Sequence, residues 1–300
     1  MSKSKSVVKK AVFPVAGLGT RILPATKSIP KELLPVVDKP ILQYVVDEAI
    51  NAGIDQLVFV VSRTKNSIQD YFDKSYELEA ELEKKNKKRE LDLLRSLLPD
   101  NVACAYVRQP EALGLGHAVL CARMVVGNDP FAVILPDDLM ADADTIRKMV
   151  GLYEETGSSI VAVEQVDRSQ TDKYGVIAMD RGTNNLPRIT EIVEKPRPQD
   201  APSNLAVVGR YVFNPDIFGR LEQTGRGVGG EIQLTDAIAS LLANEAVYAY
   251  ELEGRRFDCG TKLGYLEATV HYALHNEELS AGFRHYLQSL NLNADAGSHE

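Results

Sequence analysis

The sequence predicts an α/β domain, with a mixed, mainly parallel central sheet flanked by helices and a smaller, partly antiparallel half attached to it. Three observations carry this. Two short apolar runs, LVFVV at 57–61 and FAVIL at 131–135, are rich in β-branched residues and unbroken by polar ones, the pattern of strands covered on both faces. They alternate with segments whose apolar residues recur at helical spacing, the order that builds βαβ units. After about residue 167 the strands shorten, alternate in polarity, and are joined by loops rich in Pro, Asp and Gly.

The chain organises itself around residues 12–40. This stretch begins apolar and β-prone, breaks at Gly17 and Gly19, then sets Arg21, Lys27 and Lys31 into a loop punctuated by Pro24, Pro30 and Pro35. A buried strand that empties into a glycine loop carrying cations suits a phosphate, because backbone N–H groups approach closely where no Cβ intervenes. A helix follows over 41–52, with Pro40 near its first turn and Gly53 placed as its C-terminal cap. The strand in 55–62 closes a βαβ unit, whose crossover is right-handed by the general rule.

A short helix is expected over 65–72. Residues 76–98 read as a longer surface helix or helical pair, with a wholly polar break at 84–90 and Pro99 as its stop. The next strand, 102–108, leads into QPEALGLGHAV at 109–119. There Gly114 and Gly116 permit close approach to a flat ligand, and Gln109 offers an amide to a base edge. His117, at the start of an apolar helix, reads as an oriented packing residue. The strand 131–135 ends in Pro136, Asp137 and Asp138. Carboxylates beyond the carboxyl end of a buried strand are well sited for a divalent metal; a lone Asp would suit an N-cap equally, and the pair favours metal.

Further on, a helix over 142–156 precedes strands at 159–166, 174–179, 189–196 and 204–213, a helix over 229–243 and a strand at 247–252. The turn FDCGT at 257–261 leads to helices over 262–276 and 281–290, whose Leu263, Leu266, Val270, Leu274, Phe283 and Leu287 read as core positions. The domain spans 1–292, divided into one half at about 8–166, a second at about 167–260 and C-terminal helices at 262–290; a polar tail occupies 293–300.

Composition narrows the function classes. Three hundred residues with 44% hydrophobic content suffice for a substantial core. A formal charge of −8 argues against a nucleic-acid or anionic-membrane surface, so the cations of the first loop read as local ligands. Cys104, Cys121 and Cys259 form neither a zinc spacing nor a disulfide framework, and no run is long enough to span a bilayer. A soluble cytoplasmic protein is expected.

The first loop fits neither common nucleotide motif. A dinucleotide fingerprint needs a third Gly where Thr20, Arg21 and Ile22 stand, and the Walker A loop needs GK[ST], which is absent. However, AGLGTRILPATKSIPKELLPV resembles the GxGTRxxPxTxxxPKxLLPV signature of the sugar-1-phosphate nucleotidyltransferases. QPEALGLGHAV, ILPDD, VEKP, NLAVVGRYVF, GEIQLTDAI and FDCGTKLGY resemble, in that order, motifs of the branch that uridylylates glucose 1-phosphate. The match covers about residues 8–277.

The resemblance implies a Rossmann-like three-layer nucleotidyltransferase fold, with the nucleotide held by the first half and the sugar by the second. It implies direct displacement: a phosphate oxygen of glucose 1-phosphate attacks the α-phosphorus of UTP, and pyrophosphate leaves. Ala16, Gly17 and Gly19 would lie under the nucleotide, with Arg21 and Lys31 on the polyphosphate. Glu32, Gln109 and Gly114 would read the uracil. Asp137 and Asp258 would bind Mg²⁺, with Asp138 either behind these ligands or capping the next segment. Lys195 would grip the sugar phosphate, while Gly175, Glu194, Gly209 and Glu231 would bond the glucose hydroxyls. The family is commonly dimeric or tetrameric, so a homodimer or homotetramer is expected, with UTP and glucose 1-phosphate as small-molecule partners. Alternatives are a thymidylyltransferase on the same sugar phosphate, a glycosyltransferase using Asp137 and Asp138 as its acidic motif, and a non-catalytic sugar-nucleotide sensor. The charged insert at 76–98, KELLP and GEIQLTDAI favour the uridylyl branch, and the presence of Arg21, Lys31 and Asp137 argues against the sensor.

Overall fold

A computed structural model describes residues 7–181 and 186–290 of the chain; the polar tail expected at 293–300 lies outside the described residues. The first half is built from strands β1 (Lys10–Pro14), β2 (Pro35–Val36), β3 (Lys39–Pro40), β4 (Gln56–Val61), β5 (Ala103–Arg108), β6 (Phe131–Ile134), β7 (Asp138–Met140) and β8 (Ser159–Gln165). Its helices are α1 (Ile41–Asn51), α2 (Asn66–Phe72), α3 (Tyr76–Lys84), α4 (Lys88–Ser96), α5 (Leu115–Cys121), α6 (Arg123–Val126) and α7 (Thr145–Thr156). The second half adds β9 (Gly175–Arg181), β10 (Pro187–Glu194), β11 (Leu205–Phe213), β12 (Val247–Glu251) and β13 (Arg256–Asp258), with α8 (Asp216–Gln223), α9 (Leu234–Leu242), α10 (Lys262–His275) and α11 (Ser280–Ser289).

Nine strands form one sheet in the order β5-β4-β1-β6-β11-β8-β12-β10-β9. The pairings of β1 with β4 and β6, of β4 with β5 and of β8 with β12 are parallel; those of β10 and β11 are antiparallel. Seven strands therefore share one direction, and β10 and β11 oppose them. The antiparallel strands continue the central sheet instead of building a layer of their own.

Apolar side chains divide by strand parity between two cores, because successive Cβ atoms point to opposite faces of a sheet. Ala11 and Phe13 of β1 and Leu57, Phe59 and Val61 of β4 join the core under α1 and α7. Val12, Val58 and Val60 join the other, with α5, α8 and α9. Two helical layers on one sheet explain why the strand runs lack polar interruptions.

Residues 76–98 form a helical pair, α3 and α4, broken within the polar stretch at Asn86, whose φ of 55° lies in the left-handed region. Other boundaries differ from the sequence reading. The helix expected over 229–243 starts only at Leu234, because Gly229 and Gly230 take φ of 70° and 75° and cannot open it. FDCGT is not only a turn: Arg256–Asp258 pairs antiparallel with β7, putting Asp258 opposite Asp138. That long-range pairing has no local signal. Leu263, Leu266 and Val270 of α10, read as core, are 68%, 59% and 37% exposed. Among the described residues no helix is long and apolar enough to cross a membrane.

Candidate active site

The parallel neighbours β1 and β6 deliver their carboxyl ends side by side, the position where open α/β sheets collect ligands. β1 leads to Ala16, Gly17 and Gly19. A Cβ at Gly17 would meet nothing within 4 Å, so the protein itself leaves space there. Gly19 takes φ of 67° beside Thr26, whose hydroxyl donates to the Gly19 carbonyl at 2.7 Å. The turn then presents Arg21, whose side chain is 59% exposed, and a short 3₁₀ helix carries Lys31.

These cations converge on the acid loops. Lys31 Nζ lies 2.5 Å from Asp137 Oδ2, Arg21 Nη2 lies 3.5 Å from the same oxygen, and Arg21 Nη1 lies 3.8 Å from Asp258 Oδ2. The Cys259 amide donates to the Asp137 carbonyl at 2.7 Å, tying the two acid loops together. Burial opposes charge on both partners of the closest pair. Yet the Asp137 and Glu32 carboxylates hold Lys31 above the usual lysine range, and Lys31, then Arg21, hold Asp137 below the usual carboxylate range. Asp258 is pushed up, first by burial and then by the negative charges of Asp138 and Asp137, with Arg21 opposing. A cation beside Asp137 and Asp258 would relieve that repulsion.

Asp138 has a different task. Its Oδ2 accepts from the Gly209 amide at 2.8 Å and its Oδ1 pairs with Arg256 Nη1 at 2.6 Å. Arg256 in turn pairs with Glu164 at 2.7 Å. Both oxygens of Asp138 are thus committed to the protein, so the metal-ligand reading of this second aspartate of the pair gives way to a bracing role. Gly209 is needed here on steric grounds: a Cβ would stand 2.8 Å from Asp138 Oδ2 and 2.6 Å from Leu135 Cβ.

Glu32 corrects the sequence reading. It is 1% exposed, and both carboxylate oxygens accept from Lys65 Nζ, at 2.8 and 2.7 Å. Burial pushes Glu32 up and Lys65 down, and their mutual contact opposes both shifts. A carboxylate so enclosed has no face for an imide, and its place is beneath Lys31.

The loop expected to read the base follows β5. Gln109 is 9% exposed, and its amide nitrogen donates to the Gly114 carbonyl at 3.1 Å. Gly114 takes φ of 97°, and a Cβ there would stand 2.7 Å from Glu231 Cβ. Ile232 donates to the Leu113 carbonyl at 2.7 Å and accepts from the Gly116 amide at 2.9 Å, so Glu231 is held against this loop. In the second half, Gly175 sits opposite Glu194 in the β9–β10 register, and Glu194 Oε2 accepts from Thr235 Oγ1 at 2.7 Å. A Cβ at Gly175 would meet Thr235 Cγ2 at 2.5 Å. Lys195 takes φ of 46°; its amide donates to the Tyr174 carbonyl at 2.9 Å and its Nζ lies 3.3 Å from Glu194.

Two clusters therefore form: Arg21, Lys31, Asp137 and Asp258 around the glycine loop, and Gly175, Glu194, Lys195 and Thr235 on the antiparallel strands. Gly209 joins the first through Asp138, and Glu231 joins the base loop instead of Glu194. Sequence reasoning missed Lys65, Thr235 and Gly260. Lys65 follows β4 at the same sheet edge, which the topology could have shown. A Cβ at Gly260 would strike the Arg21 guanidinium and stand 2.9 Å from Asp137 Oδ2, a constraint that only the fold reveals.

Residues 10–274 match the model of the nucleotidyl transferase family, and the chain belongs to that family. A UTP--glucose-1-phosphate uridylyltransferase from Haemophilus influenzae is 50% identical over 290 residues, covering 94% of this chain and 98% of that protein. Among solved structures, a UTP-bound UGPase from Acinetobacter baumannii is 47% identical with a TM-score of 0.88, covering 95% of this chain and all of that one. A UDP-glucose pyrophosphorylase complexed with UDP-glucose is 44% identical with a TM-score of 0.82, covering 90% of this chain and 100% of that one.

Proposed function

We propose that this chain transfers a uridylyl group from UTP to glucose 1-phosphate, giving UDP-glucose and pyrophosphate. The observation that carries the reading is the meeting of Arg21 and Lys31 with Asp137 and Asp258 above adjacent parallel strands. The reaction brings two anions together, so most of its barrier is repulsion and alignment. Arg21 and Lys31 supply fixed positive charge for the pyrophosphate that departs, while Lys195 holds the phosphate that attacks. That phosphate is already ionised, so no general base is needed. The in-line geometry demands that nucleotide and sugar be gripped separately, and the two side-chain clusters provide separate grips.

The residues present fit Mg²⁺. Asp137 and Asp258 offer hard oxygen donors, and among the described residues no group of three or more His, Cys, Asp or Glu forms a self-sufficient cage. That suits an ion which takes one or two carboxylates and completes its shell with phosphate oxygens and water. When bound, it would neutralise charge on the phosphates between which the bond breaks. Lys31 and Arg21, now paired with Asp137, would exchange that contact for substrate phosphate.

A homodimer or homotetramer would give cover to Leu263 and Leu266 of α10, which are exposed in the single chain. The test of function is a matrix of UTP, dTTP and CTP against several sugar 1-phosphates, read as pyrophosphate release. UTP with glucose 1-phosphate should lead; dTTP leading instead would favour a thymidylyltransferase, and no release from any pair would overturn the reading.

A further inference from the structure

Gln109, which the resemblance assigns to the uracil, touches a residue outside the expected site. The Gly114 carbonyl can only accept, so the Gln109 atom 3.1 Å from it is the amide nitrogen. The same nitrogen lies 3.2 Å from His117 Nδ1. Its second proton therefore points to Nδ1, which accepts, and the ring proton sits on Nε2, 3.8 Å from Cys121 Sγ. Both Gln109 donors are spent on the protein. What the amide presents outward is its oxygen, an acceptor only.

An acceptor at that position distinguishes pyrimidines. Uracil and thymine carry a proton on N3, whereas N3 of cytosine carries a lone pair and would face the amide oxygen with repulsion. Turning the amide over would set its oxygen against the Gly114 carbonyl, two acceptors facing each other, and would require the His117 proton to move from Nε2 to Nδ1. His117 is itself held in place: it lies in the first turn of α5, where the flanking Gly116 and Ala118 amides donate to Ile232 and Gly114.

We infer that His117 is a positioning residue for base selection, locking Gln109 so that only an acceptor meets the nucleobase. The inference rests on the uridylyl reading above and changes the sequence expectation for His117, which was packing alone. The Nδ1 position is what matters, so Asn, whose side-chain oxygen can stand near Nδ1, should substitute better than Gln or Leu.

The test compares His117→Leu, His117→Gln and His117→Asn in the full-length chain, measuring kcat and KM for UTP, CTP and glucose 1-phosphate, with a thermal melt of each. Loss of one hydrogen bond at the base predicts that Leu and Gln raise KM for UTP about tenfold and lower the UTP-to-CTP preference by a similar factor. KM for glucose 1-phosphate should stay put, and Asn should recover most of the loss. An unchanged UTP-to-CTP preference in His117→Gln, or an Asn variant no better than Gln, would overturn the lock. Should the Leu variant not fold, the Asn and Gln pair decides alone. Wild-type protein that does not use UTP would sink the uridylyl reading and the lock with it, an outcome visible before any variant is made.

Discussion

Arg210 and Glu48, 162 residues apart in sequence, form a fully buried pair beneath the acid loop: Nη2 lies 2.7 Å from Oε2, and Nε lies 3.1 Å from both oxygens. Arg210 is 0% exposed and Glu48 3%. The remaining guanidinium protons go to the carbonyls of Leu135, Gly209 and Asp138, at 3.1, 2.9 and 2.8 Å. Glu48 also accepts from the Ile146 amide at 3.2 Å, at the start of α7. One ion pair thus fastens α1, α7, β11 and the turn that bears Asp137.

Arg210→Met should therefore cost about 3–5 kcal/mol, because it leaves Glu48 charged and buried without a partner. Urea denaturation measures this. Replacing both partners by apolar residues is often nearly neutral for a simple pair. Here it should restore stability only in part, because the carbonyls of Leu135, Gly209 and Asp138 each lose a guanidinium donor, although those of Leu135 and Gly209 keep a backbone one. A Glu48→Leu, Arg210→Met double variant as stable as wild type would show that the carbonyl contacts contribute little.

The adjacent aspartates should separate in kinetics. Asp137→Asn is expected to lower turnover on the order of 10²–10³-fold and to shift the Mg²⁺ dependence, since it removes charge from the reacting end of the site. Asp138→Asn sets a donor against either Arg256 or the Gly209 amide, whichever way its amide turns, so it should cost about 2 kcal/mol of stability while the Mg²⁺ titration midpoint stays close to wild type. A larger midpoint shift in Asp138→Asn than in Asp137→Asn would reverse the two assignments.

What was legible in the sequence divides along physical lines. β1, β4 and β6 announce themselves because a strand covered on both faces must be apolar throughout. Arg21, Lys31 and Asp137 were readable for a related reason: they lie just beyond those strands, and topology brings such loops together. The pairing of β7 with β13 was not readable, because three-residue strands over a hundred residues apart leave no periodicity. The enclosure of Glu32 by Lys65 escaped as well. A motif gives a residue's identity and not which way its side chain turns, and here the carboxylate turns inward.

Lys195 stands in the left-handed region at φ of 46°, which costs a residue bearing a Cβ about 1–2 kcal/mol. Lys195→Ala and Lys195→Gly both delete the ammonium, and both should lose sugar-phosphate turnover alike. Only Gly removes the backbone strain, so Lys195→Gly should be the more stable of the two by about 1 kcal/mol. Equal melting temperatures would mean that the strand end relaxes without cost.

His271 of α10 lies over Phe257, with ring centroids 5.0 Å apart, and beside His275 at 4.3 Å. Burial first, then the nearby His275 and Arg255 charges, lower its pKa. The folded ring thus takes up a proton less readily than the unfolded one. Its contribution to stability is complete above the unfolded pKa of about 6.5 and falls as the pH drops through that value. His271→Phe should flatten the decline of melting temperature between about pH 7 and 5; a decline as steep as wild type would assign the acid sensitivity elsewhere.

Two glycines test whether close packing at the site serves stability or chemistry. A Cβ at Gly116 would stand 2.7 Å from the Ile232 carbonyl oxygen, a backbone atom inside the hydrogen-bonded seam that joins the base loop to Glu231. The backbone cannot step aside cheaply, so Gly116→Ala should lower stability by about 1–3 kcal/mol. A Cβ at Gly260 would collide with the Arg21 guanidinium, the far end of a flexible side chain that is 59% exposed. Arg21 can swing away, so Gly260→Ala should melt close to wild type while losing turnover, because the added methyl fills the space from which Arg21 reaches the phosphates and crowds Asp137 Oδ2, 2.9 Å from that Cβ. Calorimetry paired with pyrophosphate-release kinetics separates the two. Normal turnover in Gly260→Ala would mean that the reaction does not use the space beside Arg21 and Asp137 that the methyl fills.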